Sequence, residues 1–149
     1  MASVKRSRRR EQDGAVAVEF ALVMPLLIVL AFGIISFGLV FGQQLALGNA
    51  ARQSSRFGVV AQRTCSDIVS EAKSDASALG MDGNAATVTV TRGGTNMCGG
   101  AQTVQPCAGS ATGDSIVVTV ANTTQVIIPL VVSKSVNISG TGTFRCEFS

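Results

Sequence analysis

From Phe20 to Phe41 the chain runs for 22 residues without a charge, and only Ser36 among them is polar. At about 1.5 Å per residue a helix of that length spans about 33 Å, close to the hydrocarbon thickness of a bilayer. It can cross a membrane once, leaving roughly the last hundred residues for a small folded domain. One carboxylate, Glu19, sits at the start of the run, five residues beyond Gly14. An ionisable group in a bilayer segment costs about 2.5–3.5 kcal/mol even on a lenient insertion scale, which makes Glu19 a candidate functional residue.

Charge gives the run a direction. Residues 1–14 hold five of the twelve Lys and Arg (Lys5, Arg6, Arg8, Arg9, Arg10) and two of the nine acids (Glu11, Asp13), while the remainder holds seven of each. The whole net charge of +3 therefore lies in the leader. After the run the nearest basic residues are Arg52, Arg56 and Arg63, at a distance, so the positive-inside rule predicts a cytoplasmic N-terminus and an outer C-terminal domain. Cys65, Cys98, Cys107 and Cys146 all fall on that outer side, an even number that favours disulfides.

Three processing schemes fit such an N-terminus. A plain uncleaved anchor accounts for the run but not for Gly14 and Glu19. A secretory signal peptide, with a small-x-small cut at Ala46-Leu47-Gly48, would release a soluble domain beginning at Asn49, although its apolar region is ordinarily only about 7–15 residues. A cut between Gly14 and Ala15 would remove the basic leader, keep the apolar helix and make Glu19 the fifth mature residue, followed by Phe20.

The sequence Gly14-Ala15-Val16-Ala17-Val18-Glu19-Phe20 resembles a prepilin-peptidase site, and the stretch from Gly14 to Arg56 is similar to the TadE-like family of pseudopilins in tight-adherence (Flp) pilus systems. The resemblance extends through Pro25-Leu26-Leu27, Phe37-Gly38 and Asn49-Ala50-Ala51-Arg52, with Ser54-Ser55 where family members often carry Gly-Ala. It implies a minor pilin or pseudopilin of the bacterial inner membrane, a substrate of a prepilin peptidase and a partner of other pilins and the pilus assembly machinery. It also implies that the cut exposes an α-amino group on Ala15, which Glu19 of a neighbouring helix could neutralise. Pro25 predicts a bend, and Gly33, Ser36, Gly38 and Gly42 supply small residues where helix backbones could approach.

Beyond Phe41 the helix is expected to continue, since Leu47, Ala50, Ala51, Ser54, Phe57 and Ala61 recur at three- and four-residue spacing beside Gln43, Gln53 and Arg56. Thr64 and Asp67 form a capping-box pattern opening a second helix, in which Ile68, Ala72, Ala76 and Leu79 share a face and Gly80 marks the end. From Thr87 the period changes to two. Val88 and Val90 alternate with threonines, Ile116, Val118 and Val120 follow later, and in the last strand Val136, Ile138, Gly140, Gly142, Phe144, Cys146 and Phe148 share a face. Pro129 makes the run from Val126 to Val132 an expected edge segment or loop. Cys98 and Cys107 lie in a Gly-rich insertion and are expected to pair locally, with Cys65 joined to Cys146, although four cysteines allow three connectivities.

Several classes fall away. There is no Cys-x-x-Cys pair for zinc, and with no His in the chain the usual general base for a Ser or Cys nucleophile is missing. Gly93-Gly94 and Gly99-Gly100 lack the lysine of a phosphate loop and read as turns. Asn122 and Asn137 head Asn-x-Ser/Thr triplets that read as chance in a Thr-rich strand protein. No cofactor, small-molecule substrate or nucleic acid is expected. The predicted architecture is α+β: a leader over 1–14, a transmembrane helix over 15–42, a helical stalk over 43–80 and a disulfide-stapled antiparallel β domain over 81–149. The competing reading is a membrane-anchored binding module whose outer sheet takes a ligand.

Overall fold

The computed structural model describes residues 5–60, 63–100, 102–128 and 132–147, with the backbone alone for residues 5–13, 127, 128 and 132. Helix α1 runs from Lys5 to Gly58, passing through Pro25 without interruption. Helix α2 (Cys65–Asp75) follows, and then strands β1 (Thr87–Arg92), β2 (Thr95–Asn96), β3 (Ser115–Ile128) and β4 (Val132–Arg145) form one antiparallel sheet in the order β2-β1-β3-β4. The architecture is α+β, as the change of period at Thr87 predicts. Both helices lie on one face of the sheet.

α1 lives in two environments. Up to Phe41 most of its large apolar side chains are exposed, Phe37 at 67% and Phe41 at 64%, and only a narrow stripe at Val29, Gly33, Ser36 and Val40 is half-buried. From Gln43 onward one side is buried, with Leu47, Ala50, Ala51, Ser54 and Ser55 recurring at helical spacing. The two buried serines turn their hydroxyls onto carbonyls of their own helix, Ser54 Oγ donating to Ala50 O (2.7 Å) and Ser55 Oγ to Arg52 O (2.9 Å), so neither leaves an unmet polar group in the core.

The sheet accepts the helix through two glycines. Rows of registered residues cross the strands on the helix side: Val88, Val120 and Gly140, then Val90, Val118 and Gly142. A Cβ on Gly140 would collide with the backbone of Leu47 and Gly48, and one on Gly142 with the carbonyl of Ala51 and with Arg52 Cα. With no side chain at either position, the helix backbone lies directly on β4. Gly58 ends α1 under a similar constraint, because a Cβ there would stand 2.7 Å from Ile68 Cδ1 and 3.1 Å from Ile116 Cδ1.

The capping box forms as the spacing predicts. Thr64 Oγ1 accepts from Asp67 N–H, and the Asp67 carboxylate accepts from Thr64 N–H (2.9 Å). These bonds hold the Asp67 carboxyl below the usual carboxylate range, the backbone N–H of Thr64 first and its hydroxyl second. Ile68, Ala72 and Ala76 are buried as expected, but α2 stops at Asp75, before Gly80. Ser77 Oγ donates to Lys73 O, and Leu79 takes a left-handed conformation (φ 54°) that directs its carbonyl to Gln43 Nε2 of α1 at 3.1 Å.

The disulfides correct the expected pairing. Cys65 is bonded to Cys98 and Cys107 to Cys146, so Cys98 does not pair with Cys107, nor Cys65 with Cys146. The reason is a tight hairpin. Gly93 and Gly94 (φ 56° and 82°) turn the chain in two residues, the type I′ pattern, and β2 then returns beside β1, with Met97 N–H bonded to Val90 O. Cys98 is thereby carried under the start of α2, where Cys65 and Ser66 donate their N–H groups to Val104 and Gln102 carbonyls. Cys107 meets Cys146 because both lie at the end of the sheet where Ser115 pairs with Arg145, and Cys146 N–H donates to Asp114 O (2.9 Å). Bridges with sequence separations of 33 and 39 residues each stabilise by about 3.5–4 kcal/mol in the chain-entropy account. Of the remaining expectations, those on Ala61, Pro129 and Phe148 lie outside the described residues.

The glycine contact is asymmetric, which makes it testable. A Cβ on Gly48 meets nothing within 4 Å, so Gly48→Ala should be neutral or stabilise by up to about 1 kcal/mol through helix propensity. Gly140→Ala should destabilise by about 3 kcal/mol or more, since backbone rather than a pliant side chain must give way. Thermal unfolding of the two variants in detergent checks the contrast.

Candidate functional site

Gly14, Ala15, Glu19 and Phe20 all lie on the exposed half of α1. No atom outside the local helix lies within 4 Å of a Cβ built on Gly14, and among the described residues nothing pairs with the Glu19 carboxylate. Turns of helix on either side of Glu19 present Val16, Val18, Leu22 and Val23 outward. Among the described residues nothing covers the apolar sleeve in which this carboxylate stands. Among the described residues one helix, over Gly14–Gly58, is long and apolar enough to cross a membrane, and this sleeve is its first half.

The two small-residue positions of the Gly38-x-x-x-Gly42 pair have different fates. Gly38 is open, whereas Gly42 is approached by Leu79 Cδ1 at 3.1 Å from its Cβ direction. Gly42 is thus spent on a contact within the chain, and a helix-to-helix approach through that pair would have to displace Leu79. Gly33 is open as well.

The bond between Gly48 and Asn49 has a different setting. Leu47 is fully buried, Gly48 lies against Gly140, and Ala50 and Ala51 continue the same buried side. A cut there would divide the helix within its packed turn and remove Leu47 from the core. Release of a soluble domain at that bond is therefore costly.

In the outer domain one acid has an unusual setting. Asp75, at the end of α2, is half-buried in a cleft of about 240 Å³ shared with Ala46, Asn49 and Gln53 of α1. Its Oδ2 is shut off from solvent without a hydrogen-bond partner among the described residues. Burial raises its carboxyl above the usual Asp range, and the nearby Glu71 charge adds to the shift. At the opposite end of the sheet Arg92 Nη1 donates to Pro106 O (2.8 Å) and Ala108 O (2.9 Å), fixing the loop that carries Cys107. Asn122 is buried and donates to Asp82 O, while Asn137 is exposed and accepts from Thr123 Oγ1. Among the described residues no three His, Cys, Asp or Glu side chains group closely enough to hold a metal ion.

Residues 14–56 match the family model described as TadE-like protein. No curated protein and no solved structure matches the chain. The matched stretch spans both environments of α1, from the exposed acid to the turns that rest on Gly140 and Gly142.

Asp75 gives the outer domain a pH signature. Its raised folded value means that this carboxyl favours the fold when protonated, below the ordinary Asp value of about 3.9, and that the benefit is lost as pH rises through the folded value. Asp75→Asn should therefore be more stable than the parent at pH 7, by less than the ~1–3 kcal/mol of a fully buried unpaired group, because the site is partly solvated. The difference should vanish in acid. Chemical denaturation of both proteins across pH 3–8 would reveal it.

Proposed function

We propose that this chain, whose residues 14–56 match the TadE-like family model, is a tight-adherence pilus-associated protein, a minor pilin or pseudopilin that joins its assembly through the exposed half of α1. The observation that carries this reading is the lone Glu19 on an uncovered apolar helix five residues past Gly14. A prepilin peptidase would cut between Gly14 and Ala15. The membrane helix would stay on the mature protein, N-terminus on the cytoplasmic side, with the disulfide-linked sheet domain outside the inner membrane.

The cut would create the partner that Glu19 lacks. A new ammonium on Ala15, with a reference pKa of about 7.7–8.0, is a cation at neutral pH. When helices pack side by side, the carboxylate of one and the ammonium of its neighbour compensate each other where solvent is scarce, and a helix out of register leaves both unpaired. The partners this implies are other pilins or pseudopilins, the assembly machinery and the membrane itself. Such a role is structural rather than catalytic, and its output is a surface pilus used in adhesion.

Two measurements test the proposal. Intact mass of the protein isolated from membranes should correspond to a chain beginning at Ala15; a chain beginning at Met1 or Ala2 would indicate a plain anchor, and one beginning at Asn49 a secreted domain. Glu19→Ala should leave membrane insertion intact but lower co-isolation with pilus components roughly a hundredfold, the equivalent of about 3 kcal/mol for a broken buried pair. Co-isolation at the parental level would refute the pairing.

A further inference from the structure

β4 runs in the same direction as α1. Gly140 rests on Leu47 and Gly48, and Gly142 on Ala51 and Arg52, so two strand residues match four helix residues. Going back along β4 from Gly140 therefore leads down the helix toward its apolar half. A cleft of about 320 Å³ marks the descent: Thr124 and Gln125 of β3 line it together with Phe32, Ile35, Leu39 and Val40 of α1. The hairpin does not stop there. β3 and β4 stay paired for three further rows, to Ile128 opposite Val132, about 10 Å beyond at 3.3 Å per residue.

The composition of the hairpin changes at the same level. Along β4 from Ser135 to Thr143 polar residues alternate with Val136, Ile138, Gly140 and Gly142, as suits a sheet with helices on one face and solvent on the other, and on β3 the residues from Asn122 to Gln125 are all polar. Past Gln125 both patterns end. Val126, Ile127 and Ile128 at the end of β3 and Val132 opposite Ile128 are all apolar, at both parities, and are bounded by Gln125 on one strand and by Ser133 and Lys134 on the other. A strand apolar at both parities is one whose two faces both meet an apolar medium. The helices cover only one face of this sheet, and on the other face the β4 residues nearest the end, Ser133 and Ser135, are exposed.

The neighbouring helix names the medium. At the level of the hairpin end α1 presents Leu30, Ile34 and Ile35, each more than half exposed, within the run that is long enough to span a bilayer. Leu79 belongs to the same base: held in a left-handed conformation beside Gly42, it leaves its side chain 55% exposed at the top of the apolar run. Lys134, exposed and opposite Val126, stands where a long cationic side chain could reach lipid phosphates.

We propose that the β3–β4 hairpin is a second membrane-contacting element, whose apolar end enters the leaflet nearest the sheet domain alongside α1, with lipid as its occupant. The inference rests on α1 lying in a bilayer, as the proposed function requires. It makes the outer domain a body seated in the membrane surface at two points, a helix and a hairpin, with its tilt fixed.

The chain contains no Trp and no Tyr, so a single introduced tryptophan reports its own surroundings. The full chain, in vesicles of phosphatidylcholine and phosphatidylglycerol, would carry Trp at Ile127, at Val126 as a second hairpin position, at Leu27 in the helix, or at Thr141 on the exposed face of β4. Intact disulfides by non-reducing mass certify the fold of each variant. With lipids brominated along the acyl chain, the Ile127→Trp and Val126→Trp proteins should lose most of their emission, as Leu27→Trp does, while Thr141→Trp keeps its emission and yields instead to aqueous iodide. Quenching at Leu27→Trp without quenching at the hairpin would overturn the inference and leave the membrane reading of α1 standing. A blue-shifted hairpin emission untouched by brominated lipid would overturn it in favour of contact with a second copy. Failure at Leu27→Trp itself would remove the premise of both.

Discussion

The close approach of the α1 backbone to Gly140 and Gly142 is the constraint from which the rest follows. It fixes where α1 changes from an exposed to a one-sided helix, because the turns from Gln43 to Gly58 are those that the glycine pair, β3 and α2 enclose. It sets the polarity of β4 along α1, and through the β3–β4 register it sets the depth to which the hairpin descends. The outer domain is thereby joined to the apolar helix without a flexible link. A force or tilt applied to the exposed half of α1 passes into the sheet through one continuous helix.

That arrangement was partly legible in the sequence. The helix could be read because its period is local: apolar residues at three- and four-residue spacing persist from Leu47 to Ser54 whatever packs on them. The capping box at Thr64 and Asp67 was legible for the same reason, since both partners lie within one turn. The long strands were equally plain, and parity correctly placed Gly140 and Gly142 on the inner face. Parity did not say why they are glycines. Only the position of Leu47 and Ala51 against them does that, a contact between residues about ninety apart in sequence.

The disulfides and the end of α2 show the opposite case. Pairing Cys98 with Cys107 treats the Gly-rich segment as one loose insertion, yet Gly93-Gly94 in positive φ close a two-residue hairpin and divide it. The signal was present in the glycine pair but had no strand after it long enough to be noticed, because β2 is only Thr95–Asn96. The halt of α2 before Gly80 depends on Gln43, whose amide takes the Leu79 carbonyl from across the fold. No periodicity within 65–80 encodes a partner at position 43. Local rules therefore gave the elements, and long-range contacts chose their ends and their cross-links.

The position of Glu19 acquires a further meaning from the length of α1. Helix termini carry partial charges that fall off within a turn, and an acid is favourable near the N-terminus. In the uncut chain α1 begins at Lys5, so Glu19 lies deep in the helix, where the macrodipole contributes little. A cut after Gly14 would move it to the fifth residue, one turn from freshly exposed N–H groups, while adding an ammonium beside them. The same bond cleavage would discard the leader that holds all of the net charge, leaving seven basic and seven acidic side chains. Long-range repulsion between mature copies would fall, and the remaining attraction would be concentrated at one end of an apolar helix. An acid that would burden insertion of a precursor would thus, after such a cut, be the residue best placed to set the register of the product.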